Sequence, residues 1–469
     1  VKTKSIVVRT QQAESRLIQQ LFFLLIVSTG INLKIFFSGP TLFDAIYSTL
    51  IIVYSFWLLT KYDTNFLVLY FLTIFGFLFV TISITIIEGG AYMIEIFESG
   101  YPTGATARFV FYMQLFTIGC YLTYRKLRNS KLPFHHQEEF INDRTIVLLF
   151  NAFFITVLLI LAVILMVYGT PLSTGLGRTK YWGEVAPPGT RYLNSLLPQL
   201  NFVNGIFLTQ TIQKRSRRLL IGILLSALII QFLQGEKFSG LFLSSYFFAL
   251  PSLFQNYKSI NLPVGLKLVF GAIALGLLAL ISIFVNYTLQ FGDPLMGLFM
   301  IADRISLQGQ VWWATDRLTS NSLEDISYFV NHLFGFGVGV KEKGLNYLMF
   351  LIAPPAVANA YFDSGSGFTA GFPSIILLGS GYLWGIPIIL LCAMLMGVVL
   401  YLFSLAFTRK KILFSVIVLK LFFAAYLAFA MGDIHLLVSI KYLVFILFTV
   451  ILFYVNIILF RSSNKSIKI

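Results

Sequence analysis

Three stretches of this sequence bring charged, amide and aromatic side chains together at short spacing. The first contains Arg178, Lys180, Tyr181, Trp182 and Glu184, then Pro187, Pro188, Gly189 and Arg191. A guanidinium meets phosphate through two parallel N–H bonds and a ring lies against a pyranose face. Cations interleaved with aromatics on a proline-stiffened segment therefore suit a diphosphate beside a sugar. The same composition serves equally as an interfacial loop whose cations meet lipid head groups. The second stretch holds Asp303, Arg304, Gln308, Gln310, Trp312, Trp313, Asp316 and Arg317. In a continuous helix Arg304, Gln308 and Trp312 recur at i, i+4 and i+8, which sets a cation, an amide and a ring in one row. Such a row matches a phosphate, a sugar hydroxyl and a sugar ring; the competing reading is an amphipathic helix with its tryptophans in an interfacial belt.

The third stretch runs from Gln234 through Gly235, Glu236, Lys237, Phe238 and Ser239 to Gly240. Charges this close to hydrocarbon cost about 3 kcal/mol or more unless paired or hydrated, so they mark a cavity or a partner, or a simple surface turn. Glu236 and Lys237 are adjacent and do not face one another on a helix. Towards the C-terminus Lys420, Asp433, His435 and Lys441 are the remaining ionisable residues near apolar runs, with Asp433 and Lys441 a candidate buried pair or structural salt bridge. Cys120 and Cys392 both lie in apolar runs, and no CxxC or Cys/His cluster suggests a metal site. His135 and His136 are assigned no role.

These residues sit in a chain whose solvent is a bilayer. Of 469 residues 58% are hydrophobic and 11% charged, against about 25% charged in a soluble domain. Apolar runs near 17–37, 43–60, 65–87, 108–124, 145–168, 194–213, 219–234, 238–255, 264–287, 383–407, 412–431 and 436–460 are each of spanning length. The expected fold is all-α: one transmembrane domain over residues 1–469, about twelve spans, and a long loop between spans nine and ten. The net charge of +15 collects at the ends of the apolar runs, which excludes a nucleic-acid stripe and orients the chain. With both termini in the cytoplasm, the inside segments hold Lys2, Lys4, Arg9, Arg16, Lys61, Arg125, Arg128, Arg144 and the groups around Arg215, Lys410 and Arg461. No h-region or cleavage site precedes the first run, so no removable signal is expected.

That orientation leaves two long loops outside, residues 169–193 and 288–382. They carry the first two stretches above. The longer one is rich in aromatics, and its apolar piece 372–378 is too short to cross, which predicts a re-entrant or interfacial helix.

With its long loop, its basic first loop, and the run Ser366, Gly367, Phe368, Thr369, Ala370, Gly371, Phe372, Pro373 ahead of Gly379, Ser380, Gly381, Tyr382, Leu383, Trp384 and Gly385, the sequence resembles the O-antigen polymerase (Wzy) family. The likeness covers the layout of nearly the whole chain and short motifs at residue level. It implies polymerisation of undecaprenyl-diphosphate-linked repeat units in the periplasm by two arginine-bearing loops, each with an arginine, ten residues and a glycine. Arg178 and Gly189 fit that pattern; neither Arg304 nor Arg317 has the glycine. The sister O-antigen ligases look similar around Gly235 to Gly240, where they carry an arginine and this chain has Lys237, but their histidine ahead of the glycine-rich span entry is replaced by Thr369 and Ala370.

The resemblance therefore implies a metal-independent glycosyltransferase of the bacterial inner membrane without a cofactor. Arg178, Arg304 and Lys237 are expected to take up the charge of the departing diphosphate, since a guanidinium keeps its proton even when poorly hydrated. Asp303 is the candidate base, with Asp316 and Glu236 not separated from it. Lys180, Trp182, Arg191, Gln308, Gln310, Trp312 and Arg317 are the candidate substrate contacts. The expected partners are lipid-linked oligosaccharides, the bilayer and a chain-length regulator, with no nucleic acid. Glu88, Glu95 and Glu98, in the loop after the third span, keep a metal-dependent route open. The competing class is a transporter or flippase of lipid-linked sugars, whose two halves would carry matching broken helices.

Overall fold

The computed structural model describes residues 2–130, 144–171, 173–174, 176, 178–210, 214–236, 239–255, 281, 284–285, 287–288, 292–320, 322–364, 367–408 and 412–466. In chain order these form α1 (Lys2–Ser38), α2 (Leu42–Tyr62), α3 (Thr64–Glu88), α4 (Ala105–Asn129), α5 (Arg144–Tyr168), α6 (Thr190–Gln210), α7 (Lys214–Leu233) and α8 (Ser239–Gln255). There follow α9 (Pro294–Ser306), α10 (Gln310–Asp316), α11 (Gly344–Ile352), α12 (Pro355–Asp363), α13 (Ser374–Thr408), α14 (Ile412–Tyr426) and α15 (Ile440–Ser466). A short antiparallel ladder, β1 (Tyr92–Met93) with β2 (Glu98–Ser99), closes the loop after α3. The architecture is otherwise helical, as expected for apolar runs that must satisfy every backbone group internally.

Eleven of the twelve apolar runs fall in these helices, and the run 264–287 lies for the most part outside the described residues. Seven described helices are long and apolar enough to cross a membrane: Gln12–Ser38, Leu42–Tyr62, Thr64–Glu88, Thr145–Tyr168, Ser216–Leu233, Ser374–Ala406 and Leu413–Met431. Many large apolar side chains on these helices face outward, Phe36 at 80% exposed and Met166 at 82% among them. Apolar surface on this scale is what a lipid-facing helix presents. Two other helices, α4 and α6, are diluted by buried polar residues: Thr106, Gln114 and Thr117 in one, Asn194, Asn201 and Asn204 in the other. Their polar groups turn inward to helix neighbours, as Gln114 to the Ser55 hydroxyl at 2.6 Å and Asn204 to the Leu220 carbonyl at 2.9 Å.

The chain divides into two compact units. Unit 1 comprises Val1–Pro133, Ala302–Phe403 and Lys420–Arg461. Its frame is the mutual packing of α1 to α4 around an aromatic core in which Phe66 meets Tyr70 and Tyr121, and Phe77 meets Phe109 and Phe116. Ion pairs fasten the helix ends. Glu14 is buried between Arg125 (2.7 Å) and Arg128, and Arg128 also reaches Asp63 at 3.2 Å. Two of the basic residues that orient the chain are thus spent on a network between helices. Glu88, at the end of α3, receives the backbone N–H groups of Gly104, Ala105 and Thr106 and both hydroxyls of Thr103 and Thr106. A carboxylate there satisfies the orphan donors of the first turn of α4 and complements its dipole.

The apolar piece 372–378, expected to be re-entrant or interfacial, is buried and opens α13, which breaks at Gly381 (φ 66, ψ 177) before resuming. Only glycine adopts that backbone readily. The carbonyl of Tyr382, just past the break, accepts from the Tyr112 hydroxyl at 2.6 Å.

Unit 2 comprises Phe134–Ile301, Ser404–Leu419 and Ser462–Ile469. In it α5, α6 and α7 pack around Phe154, Leu161, Leu197, Ile223 and Ala227, and α8 packs along α6 and α7. Gly205 of α6 lies so near α8 that a Cβ there would come 2.2 Å from the Phe248 carbonyl, so these two helices touch through backbone. Both units are discontinuous in sequence, which is why no linker announces them.

Candidate functional site

In unit 2 the first and third stretches meet. Arg178 opens a helical turn (Arg178–Lys180) that widens through Tyr181–Val185, and the buried Tyr181 ties it down by donating to the Gly169 carbonyl at 2.7 Å. From there the Arg178 Nη1 donates to Glu236 Oε2 at 2.6 Å, and Asn194 of α6 donates to Glu236 Oε1 at 3.3 Å. The guanidinium lies 5.2 Å from the centre of the Trp182 ring. Gly240 leaves space for the carboxylate, since a Cβ there would come 2.7 Å from Glu236 Oε2. The partner that Glu236 needs is therefore Arg178. Its carboxylate is 12% exposed and the arginine side chain 39%, so the pair holds the guanidinium in place while leaving an edge of it open. Lys180 and Arg191 are exposed beside it, and Lys237 lies outside the described residues.

In unit 1 the second stretch does not form a continuous row. Helix α9 ends at Ser306 and α10 begins at Gln310, because Gly309 is pressed against α3: a Cβ there would come 2.7 Å from both the Ile84 nitrogen and the Ser83 hydroxyl. Ser83 also donates to the Ser306 carbonyl at 2.9 Å. The three residues of the expected row consequently part. Arg304 is exposed on α9, and Gln308 sits in the turn, where its Oε1 accepts from the Thr369 hydroxyl at 3.0 Å. Trp312 is fully buried and donates to the Ala105 carbonyl at 2.8 Å, so its ring packs α10 on α4 rather than offering a face to a sugar.

The neighbouring charges are also committed. Arg317 makes a two-point pair with Glu98 (2.5 and 2.7 Å) and covers the Trp313 ring at 4.1 Å. Asp316, one of the candidate bases, has no exposed side chain; it accepts Arg108 Nε and Nη2 at 2.8 and 2.5 Å and the Tyr382 hydroxyl at 2.9 Å. A carboxylate with these donors is a structural anchor.

On α9 Asp303 is half-buried beside the exposed Arg304. Burial raises the Asp303 carboxyl above the usual aspartate range, against the neighbouring Arg304. Glu95 lies within their electrostatic reach. It is buried, accepts from the Tyr361 hydroxyl and the Gln310 amide, and has its carboxyl raised by burial against those two bonds and Arg304. Glu88, Glu95 and Glu98 thus take separate sets of partners, and among the described residues no group of three or more His, Cys, Asp or Glu side chains is placed to hold a metal ion.

A pH prediction follows from Glu95. A raised folded-state pKa means that the folded protein holds the proton where the unfolded chain, near pH 4.3, has lost it. The group's contribution to stability is therefore full below the unfolded value and declines as pH rises through the folded value. Thermal unfolding in detergent should show a higher midpoint at acidic pH, and Glu95→Gln should flatten that slope while keeping Tyr361 and Gln310 bonded. An unchanged slope in the variant would assign the pH effect elsewhere.

Arg108, Tyr361 and Tyr382 share in these contacts without a site role in the sequence reading, where Glu95 enters only as a candidate for a metal-dependent route. One signal was available for Arg108, a charge at the mouth of an apolar run.

Residues 339–446 match a family of unknown function, DUF6418. That stretch takes in α11, α12, α13, α14 and the turn leading into α15. No curated protein matches the chain, and no solved structure does.

Proposed function

We propose that this protein is an integral membrane glycosyltransferase of the bacterial inner membrane. It would join oligosaccharides carried on undecaprenyl diphosphate, as O-antigen polymerases do, on the outer side, with both termini cytoplasmic. The observation that carries the reading is Arg178: a guanidinium braced by a mostly buried carboxylate, packed on a tryptophan and open on one edge. Preorganised positive charge of this kind stabilises a departing diphosphate without reorganisation at the moment of reaction. In the transfer, a hydroxyl on the incoming lipid-linked unit attacks the anomeric carbon of the donor, the glycosyl–phosphate bond breaks, and undecaprenyl diphosphate leaves with the electron pair. Arg191 and Lys180 add charge along the same segment, and Lys237 and Arg304 are the further cations that the resemblance implies for the substrate diphosphate. In this reading α4, α6, α8, α15 and the run 264–287 cross the membrane along with the seven longest apolar helices, making twelve spans.

A second reading, transport of lipid-linked sugars, is favoured by the break in α13 at Gly381, since discontinuous helices line carrier sites. Purified protein in detergent given lipid-linked repeat units separates the two. An enzyme yields a ladder of chain lengths on a gel, whereas a carrier leaves the units unjoined, and that second result would overturn the polymerase assignment.

A further inference from the structure

Around the Arg178–Glu236 pair, wholly within unit 2, four buried polar atoms have no hydrogen-bond partner among the described residues: Trp182 Nε1, Asn194 Oδ1 and both amide atoms of Gln234. Asn194 is 4% exposed and Gln234 0%. The Asn194 oxygen is left over by the pair itself. The Glu236 carboxylate offers only acceptors, so the amide nitrogen turns to it at 3.3 Å and the oxygen on the same carbon stays unbonded. The guanidinium engages the ring of Trp182, 5.2 Å from its centre, and leaves the indole N–H unused. Gln234 stands two residues before Glu236, in the turn that ends α7. Gly235, with φ +79, makes that turn, and a Cβ there would come 3.5 Å from the Cβ of Arg178, so this backbone lies against the stem of the arginine.

Buried polar groups are almost always hydrogen-bonded, and apolar surroundings make each exception costly. Here the exceptions gather at one place, beside the only segment of unit 2 in which a guanidinium is braced by Glu236. Their chemistry indicates what would satisfy them. Phosphate oxygens accept and do not donate, so they match Arg178 but not the side-chain oxygens of Asn194 and Gln234. A hydroxyl does both. The unbonded set has two donors, Trp182 Nε1 and Gln234 Nε2, and two acceptors, Asn194 Oδ1 and Gln234 Oε1, none of them charged. A neutral set of mixed donors and acceptors suits a polyol, and the polyol next to a lipid diphosphate is its first sugar.

Resting on the diphosphate reading of Arg178, we infer that Asn194, Gln234 and Trp182 form the subsite for the sugar bonded to that diphosphate, and that the two amides decide which glycosylated lipids bind. Arg178 then holds the charge and its neutral neighbours hold the hydroxyls.

Calorimetric titration of the full-length protein in detergent tests this with undecaprenyl diphosphate and with the same lipid carrying N-acetylglucosamine or galactose. The wild type should bind at least one glycosylated lipid about 10-fold or more tighter than the bare one, the scale of one or two neutral hydrogen bonds. Asn194→Ala and Gln234→Leu should each bring that ratio close to one. The ratio is the readout because a loosened Arg178 would weaken all the lipids alike. Gln234→Leu should also unfold at a midpoint no lower than the wild type's, since it removes a buried amide that has no bond to lose. A clearly lower midpoint would show the amide to be bonded within the fold and remove it from the subsite. A ratio unchanged in both variants, or equal binding of all the lipids by the wild type, overturns the sugar subsite and leaves the diphosphate reading standing. If the wild type binds none of them, or Arg178→Ala binds undecaprenyl diphosphate as tightly as the wild type, the diphosphate reading falls and this inference with it.

Discussion

Alanine at Arg178 is expected to stop chain lengthening almost completely, by about 100- to 1,000-fold, the scale on which one preorganised donor to a developing anion matters. The protein should remain in the membrane at lower abundance, because the variant leaves Glu236, 12% exposed, without its counter-charge and with Asn194 as its donor; Arg178→Lys keeps the charge and is the control for folding. Glu236→Gln separates positioning from charge. It keeps an acceptor for Arg178 and for Asn194 but loosens the guanidinium, so an intermediate loss is expected, with Arg178→Lys also intermediate because lysine lacks the planar fork. The readout is the ladder of lipid-linked products together with the amount of protein in the membrane. Polymer of wild-type length from Arg178→Ala would remove the residue from the reaction and with it the observation on which the functional reading stands.

The largest effect on folding is expected at Asp316. Its carboxylate takes two donors from Arg108 and one from Tyr382 with no exposure of its own. Replacing it by alanine leaves the Arg108 guanidinium, 25% exposed, without its counter-charge. Removing one member of a buried pair costs about 3–5 kcal/mol, whereas replacing both by apolar residues of similar size is often neutral. Asp316→Ala should therefore lower the thermal midpoint sharply and shift the protein toward aggregates on size exclusion in detergent. The double variant Arg108→Met with Asp316→Leu should recover most of that loss. Equal instability in the single and double variants would show that the helix contacts, not the charge pair, hold α10 against α4. Tyr382→Phe removes one of the three donors and should cost about 1 kcal/mol, the ordinary value of one hydrogen bond.

Most of the helical layout was legible because an apolar run of spanning length is a local signal. The boundaries of α2, α3 and α5 lie within a few residues of the runs read for them. The polar content of α6 was equally visible, and it marks a helix whose amides face other helices. The second stretch was misjudged as a single face because helical spacing assumes an unbroken helix. A glycine wedged against α3 ends α9 one turn too soon, and nothing in residues 303–317 announces a neighbour from residues 83–84. The pairing proposed for Asp433 also shifted. It bonds to Leu345 and faces His435 because α11 folds back over the turn.

The sequence alone determined that the chain is helical and suited to a membrane, and which arginines, amides and carboxylates stand close together along it. Those properties depend on composition and on spacing along a few turns. Tertiary structure decided which charges are spent and which stay available. Arg178 and Glu236 are 58 residues apart, Asp433 and Leu345 88, Arg108 and Asp316 208, so no local pattern specifies these partners. In a poorly hydrated interior each charge must find a counterpart. The identity of that counterpart separates an anchoring residue such as Asp316 from an open one such as Arg178.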